Sequence, residues 1–411
     1  MKRICLVAAA VIASTFALNA QMYYQNNKNS EILHHSERGE AFRKEIILPQ
    51  VNGYNVYKAD LHTHTIHSDG DATVAFRVNE AWYDGLDILA VTDHIEYRSR
   101  ERIMVNYLKK YLAEEHKKAV NWRIDQKPMT EGEIMVDLNF SCKEANRYAE
   151  KYGLLIIPGT EITRDGKTVG HFNALFTTDN NLIYDPDPVQ AARNAKAQNA
   201  LVMHNHPGWQ RTNIDYTPAE AAMYAEGLID GIEVMNTDEF YPGAIDRAHE
   251  KGLFIAANTD IHSSTAYDYR YNGFDRLMTL ILAKEKTLEA VREALESRRT
   301  ISYGYNTLCG EEQLLKDFFT ASVKVTVMHR GKSSTNVAIT NMTSIPYTIR
   351  PEGQNQAKLN PFQTIWYSVP NDKQTFDVEI LNMFCSKEGH PVVDISLNRL
   401  GIPTLHRHLH I

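Results

Sequence analysis

From about Val51 to Tyr303, short apolar runs alternate with segments of helical periodicity. "YKADLH" predicts a strand, and "DATVAFRVNEAWYDG" a helix that starts near Asp71 or Thr73 and is stopped by Gly85. "LDILAVTDH" predicts the next strand. The charged stretch "YRSRERIMVNYLKKYLAEEHKKAVNWRI" keeps helical spacing and reads as an insertion. Helix "CKEANRYAEKYG", strand "LLIIPGTE", strand "HFNALF", helix "PVQAARNAKAQN" and strand "ALVMHNHPG" follow. Helix "PAEAAMYAEG", strand "IDGIEVMN", helix "AIDRAHEKG" and strand "LFIAANTDIH" continue the alternation, which "LMTLILA" and "LEAVREALESRR" close.

A crossover of a helix's length returns the chain to the same end of a sheet, so this alternation predicts parallel pairing. About seven such units predict an α/β fold, a distorted (β/α)7 barrel over residues 51–305. His62, His94, Glu161, His206, Asn236, Asp260 and His262 all fall at or just past the ends of predicted strands. That rim is where parallel barrels build their sites, whereas an open sheet concentrates its site at one switch point. After Gly304 the texture changes. Residues 306–320 read as a linker, and 321–411 as a small all-β sandwich of short strands between Gly, Pro and Asn turns. Within "QTIWYSV", Trp366 and Tyr367 point to opposite faces, so at most one joins the core.

The first twenty residues stand apart. Lys2 and Arg3 precede an apolar run closed by small residues, the pattern of a secretory signal cleaved near Ala20. The run is shorter than the ~20 residues a membrane span needs, and no longer one follows. The expectation is an exported chain, periplasmic or extracellular, with no span in its mature form and a polar leader over residues 21–50. Cys142, Cys309 and Cys385 are too few and too scattered for a disulfide scaffold or a thiolate metal site, and read as small buried side chains. With 411 residues and a net charge of −7, the chain has no basic footprint for nucleic acid; an anionic substrate must be attracted locally. Nothing indicates an oligomeric state.

The candidate chemistry starts at "DLHTHTIHSDG". His62 and His64, two apart on a strand, face the same side and can grip one ion together. Asp69 follows after a turn. "VTDH" ends a strand at His94, "GTE" ends one at Glu161, and "GHFN" begins one at His171. "HNHPG" supplies His204 and His206, and "NTDIH" supplies Asp260 and His262. A lone surface histidine is usually just that; this many at one rim are not.

These motifs, in this order, resemble the polymerase and histidinol phosphatase (PHP) family, with "DLHTHTIHSDG", "AVTDH", "IPGTEIT", "HPG" and "NTDIH" carrying the likeness from about Tyr57 to Tyr303. The resemblance implies a distorted seven-unit barrel holding up to three divalent metals. It places one at His62, His64, Glu161 and Asp260, a second at Glu161, His171 and His206, and a third at Asp69, His94 and His262. Asp69 fills a place that some relatives fill with histidine, which leaves Mn, Fe and Zn open. Three such ions would bring +6 against −3 from Asp69, Glu161 and Asp260, leaving a site near +3 that suits a phosphoryl group. A hydroxide bridging the first two ions would be the natural nucleophile. The signal peptide and C-terminal β domain resemble the family's phosphodiesterase branch.

Outside the ligand set, His204 is two residues before His206 and reads as facing the same side, a candidate for substrate contact or proton transfer. Arg211 suits phosphate oxygens with its guanidinium fork. Asn236 is a candidate site hydrogen bond, Trp209 a stacking partner for a leaving group. Tyr267, Tyr269, Arg270 and Tyr271 could wall the pocket, and His67 reads as a turn residue. His406, His408 and His410 read as one wet face of an end strand or tail. The expectation is hydrolysis of small-molecule phosphoesters, diesters foremost. The alternatives are a phosphomonoesterase, a hydrolase of carbon esters or amides, and a non-catalytic metal-binding surface protein.

Overall fold

The computed structural model describes residues 42–101, 103, 117–118 and 135–397. The predicted signal peptide, most of the leader and of the charged insertion, and the terminal histidines lie outside them. The chain divides between Phe42 and Arg43, and the elements below all belong to the second unit. Among the described residues no helix is long and apolar enough to cross a membrane.

Seven strands form the curled part of the main sheet. They are β1 (Asn55–Asp60), β2 (Ile88–Val91), β3 (Leu155–Thr163), β4 (His171–Leu175), β5 (Leu201–His204), β6 (Gly231–Asn236) and β7 (Phe254–Asn258). They neighbour one another in sequence order, and the chain beyond β7 meets the chain beyond β1 through a parallel bridge, Thr63 to Ile261. The strands are short and almost wholly buried, as expected where helices cover a sheet. Those helices are α1 (Val74–Tyr83), α2 (Phe140–Ala149), α3 (Pro188–Ala197), α4 (Pro218–Ala225) and α5 (Pro242–Lys251). This is the expected distorted barrel with one correction to the pairing. β4 runs antiparallel to both β3 and β5, because the loop from Arg164 to Gly170 is a hairpin connection with no helix in it. The reversal has a functional consequence: the start of β4, where His171 lies, is brought to the same rim as the ends of its neighbours.

Beyond the barrel, β8 (Met278–Ala283) pairs antiparallel with β1 on the side away from β2. After α6 (Leu288–Glu296), the strands β9 (Thr300–Gly304) and β10 (Thr307–Gly310) extend that edge. Helix α7 (Glu312–Ser322) follows at once. Residues 306–320 are therefore not a linker but a strand and a helix. Leu315, Phe318 and Phe319 of α7 explain why: all three are buried in a single apolar cluster that includes Val78 and Leu89 of the barrel and Val337 and Tyr347 beyond it. A helix that buries aromatic side chains on both partners joins them into one core.

The C-terminal part is all β, as expected. β11 (Val323–Arg330), β12 (Ser334–Asn341) and β15 (Thr364–Pro370) form one sheet. β13 (Tyr347–Pro351), β14 (Ala357–Leu359), β16 (Thr375–Ile380) and β18 (Val392–Ser396) form another, while β17 (Met383–Phe384) crosses over to pair with β10. Trp366 is exposed and Tyr367 only half-buried. Cys142 and Cys309 are buried free thiols; Cys385 is half-buried. Part of the predicted leader is strapped down. Arg43 donates to the carbonyls of Gly85 and Leu86, and Ile47 exchanges hydrogen bonds with Ser344.

Gly231, at the start of β6, has no room for a side chain: a Cβ there would lie 2.2 Å from the Phe254 ring of β7. Gly231→Ala is expected to cost about 1–3 kcal/mol, the usual range for overpacking a tight core, read as a lower midpoint in urea unfolding.

Candidate metal centre

Nine predicted ligands converge on one end of the barrel. His62 and His64 follow β1, and His94 follows β2. Glu161 lies in β3, His171 opens β4, His206 follows β5, and Asp260 and His262 follow β7. Asp69 sits in the turn after His64 and is held near His94 and His262, its Oδ1 3.4 and 3.3 Å from their Nε2 atoms. Two of the nine have left-handed backbone without being glycine, His206 at φ +25° and Asp260 at φ +51°. Such residues are uncommon and cluster where function re-aims a side chain.

The nine fall into four overlapping groups whose ligand atoms lie within 4.8 Å of one another. These are His62, His64 and Glu161; His62, His206 and Asp260; Glu161, His171 and His206; and His64, Asp69, His94 and His262. Glu161 belongs to two groups, the place expected of a bridging carboxylate. His64 belongs to two as well, and His206 reaches Asp260 in addition to Glu161, so the groups share more members than the motifs alone suggest.

The hydrogen bonding around these atoms fits cations. His62 Nε2 and His64 Nε2 face each other at 3.1 Å, and Asp260 Oδ1 lies 3.2 and 2.9 Å from them. Asp69 Oδ1 and Glu161 Oε2 are buried and accept no well-directed hydrogen bond, although His94 Nδ1 is 2.6 Å from the latter. An unpaired buried carboxylate oxygen is costly, and converging lone pairs of imidazole and carboxylate are what a divalent ion satisfies. The charges agree. Burial would raise Asp69, Glu161 and Asp260, but the histidines around them hold all three well below the usual carboxylate range, so they are ionised as ligands must be. Burial, with His94 and His262 nearby, lowers His64 to about 4 and keeps it neutral.

Supporting groups hold the ligands. Glu233, buried in β6, lies 3.0 Å from His62 Nδ1 and accepts the His206 amide at 2.8 Å. It also accepts from the amides of Asn236 and Asn258. Asn205 donates to Glu161 at 2.8 Å, and His171 Nε2 lies 2.8 Å from the Arg164 carbonyl. Such partners fix tautomer and ring orientation.

The cluster floors a cavity of about 540 Å³. Tyr97 stands against His94, and Trp209 against His171 and His206, with ring centroids 5.9, 5.1 and 5.3 Å apart. Glu96, ion-paired with Arg164, also lines the cavity. Gly166 makes Trp209 possible, since a Cβ there would come within 2.5 Å of the indole.

Residues 60–310, more than half of the chain, match the model of the PHP domain. The chain belongs to the PHP family. A two-domain protein from Bacteroides vulgatus ATCC 8482, containing a predicted PHP-like metal-dependent phosphoesterase, is 32% identical, with a TM-score of 0.74 over 87% of this chain and 100% of its own. A lesion-specific endonuclease from Pyrococcus furiosus is 17% identical, with a TM-score of 0.37 over 62% of this chain and 59% of its own. An amidohydrolase from Chromobacterium violaceum is 13% identical, with a TM-score of 0.32 over 51% and 89%. A search of the curated proteins finds no match. The chain thus has the fold and the histidine–carboxylate clusters of a PHP-like metal-dependent phosphoesterase.

Four weaker expectations need correction in this PHP centre. His204 does not share a side with His206. β5 ends at His204, the chain then turns through His206, and His204 points away to Tyr224 Oη at 3.0 Å and Glu220 Oε1 at 2.9 Å. Arg211 does not face the cavity either; it donates to Glu220 at 3.0 and 2.5 Å and to the Gly166 carbonyl at 2.8 Å. Asn236 makes its hydrogen bond within the centre, to Glu233, and does not line the cavity as a substrate contact. Tyr267, Arg270 and Tyr271 lie off the cavity wall, and Tyr269 is buried. His67 lies 3.5 Å from Glu101 and packs on Phe140, outside the cluster. Only Trp209 among the proposed substrate contacts reaches the cavity. Sequence reasoning missed Glu233, whose signal is an acid in the middle of the apolar run "GIEVMN".

Proposed function

We propose that this PHP-family chain hydrolyses small-molecule phosphodiesters, using up to three divalent cations of Mn, Fe or Zn, and that it does so outside the cytoplasm. The observation that carries the reading is the set of four overlapping ligand groups at the floor of one cavity. Cations held there would polarise the phosphoryl oxygens and activate water at neutral pH. The chain's own part is to supply negative charge from Asp69, Glu161 and Asp260, to orient His62 through Glu233, and to shape the cavity. A diester needs room for a substituent on each side of phosphorus. The aromatic walls at Tyr97 and Trp209, each beside a different ligand group, supply two such places, and the cavity lies within the volume range of small-ligand sites.

The test pairs metal analysis of the purified protein with rates on a nitrophenyl phosphodiester and the matching monoester. About three ions per chain and faster turnover of the diester are expected. Preference for the monoester would keep the site and overturn the substrate; protein that stays inactive after loading with Mn or Zn would overturn the enzyme. Export is checked by fractionating cells that express the full chain, with the mature form expected to begin near residue 21. Trp209→Ala is expected to raise KM for the nitrophenyl diester about 2–10-fold with kcat little changed, the worth of one aromatic contact.

A further inference from the structure

Arg77 is a charged residue in the apolar stripe of α1, sharing a helical face with the buried Val74, Val78 and Ala81. Its side chain is completely buried. A buried guanidinium needs its donors satisfied, and here they are spent on the backbone of the metal centre. Nε donates to the His64 carbonyl at 3.0 Å. One terminal nitrogen donates to the carbonyls of Ile261 and His262 at 3.1 and 3.3 Å. The other donates to the Ser263 carbonyl at 2.8 Å and to Glu80 Oε1 at 2.6 Å. The second Glu80 oxygen accepts from Ser264 Oγ at 2.9 Å and from the Thr265 amide at 2.7 Å. One planar fork and its carboxylate partner thus bind the segment that carries His62 and His64 to the segment that carries Asp260 and His262.

We propose that Arg77, braced by Glu80, is a positioning residue that sets the spacing of these two ligand segments. It thereby governs retention of those cations whose ligands come from both. The inference rests on the metal-centre reading above but not on the substrate. Two of the four ligand groups draw on both segments: His62, His206 and Asp260, and His64, Asp69, His94 and His262. The group of Glu161, His171 and His206 draws on neither. The fork therefore predicts a selective defect. Lysine, a single point charge with three donors, cannot span carbonyls on two segments as the planar guanidinium does.

The test measures metal retained per chain when the metal-loaded protein is challenged with graded chelator, for wild type, Arg77→Lys, His171→Ala and the double variant. Unfolding midpoints are recorded alongside, with Phe318→Ala in α7 as a destabilised control remote from the centre. Arg77→Lys is expected to release at least one ion at 10–100-fold lower chelator, the usual effect of losing an outer partner of metal ligands. The ion it still holds should then be lost when His171→Ala is added. Phe318→Ala should lower the midpoint without moving metal retention. Wild-type retention in a folded Arg77→Lys protein, or loss of all ions in parallel, would overturn the proposal. If Arg77→Lys does not fold, Glu80→Gln decides: the same selective loss supports it and unchanged retention overturns it. A wild-type protein that binds no metal would instead sink the underlying reading of the centre.

Discussion

Glu161→Gln is expected to remove at least one cation per chain and to lower phosphoesterase activity on the order of 10³-fold or more, since it removes a charged ligand from two groups at once. Glu161 is fully buried, and His62, His64, His94, His171 and His206 all lie within 4 Å of its oxygens. Among the described residues no other carboxylate touches so many of these ligands. Glutamine keeps the size, and its oxygen can still accept the Asn205 hydrogen bond, so the fold is expected to survive. The lost quantity is the charge that anchors a shared site. Metal analysis and the diester rate, measured on folded protein by circular dichroism, check it. Wild-type metal content, or a rate within tenfold of wild type, would remove Glu161 from the bridging place.

A second large effect is expected away from the metal centre, at Glu220. This carboxylate closes a capping box with Thr217 at the start of α4 and takes both terminal nitrogens of Arg211, with His204 on its other side. Burial would raise its pKa, but His204 and Arg211 lower it from 4.5 to about 2. A carboxyl depressed on folding adds stability that is complete above the unfolded value and lost as pH falls toward the folded one. The contribution is on the order of 3 kcal/mol at neutral pH, and it should fade between about pH 5 and pH 2. Glu220→Gln is expected to lose a similar amount at pH 7 and to flatten the acid limb of the stability curve over that window. Urea unfolding at pH 7 and pH 3 checks both: a variant as acid-sensitive as wild type would show that the stability resides elsewhere. Arg211 also holds the Gly166 carbonyl beneath Trp209, so part of the lost stability is expected to appear as a looser cavity wall.

The residues of this chain determined a good deal by themselves. Alternating apolar runs and helical stretches specify an α/β barrel because both periodicities are local, and each buried strand announces itself in four to nine residues. The ligand motifs were legible for a related reason. Histidines and acids at strand ends are polar groups that a barrel gathers at its rim, and their order along the chain is their order around it. The β character of the C-terminus was equally plain from its turns and alternation.

What lay beyond the sequence depended on contacts between distant segments. His204 and His206 read as a same-side pair until the strand stops at the first of them and a left-handed residue turns the second; where a strand ends is decided by its neighbours. Arg211 reads as a phosphate clamp until Glu220, on a helix folded beside it, takes its donors. The segment 306–320 reads as a linker until barrel and β domain close on Phe318 and Phe319. Arg77 draws no reading at all from the sequence; its role is set only where the segments beyond β1 and β7 come together and present their carbonyls to it. In each case the side chain's chemistry was visible in the sequence, but its partner was not. Hydrogen bonds and ion pairs act over a few ångströms, and only the curling of the sheet brings residues nearly two hundred positions apart within that range.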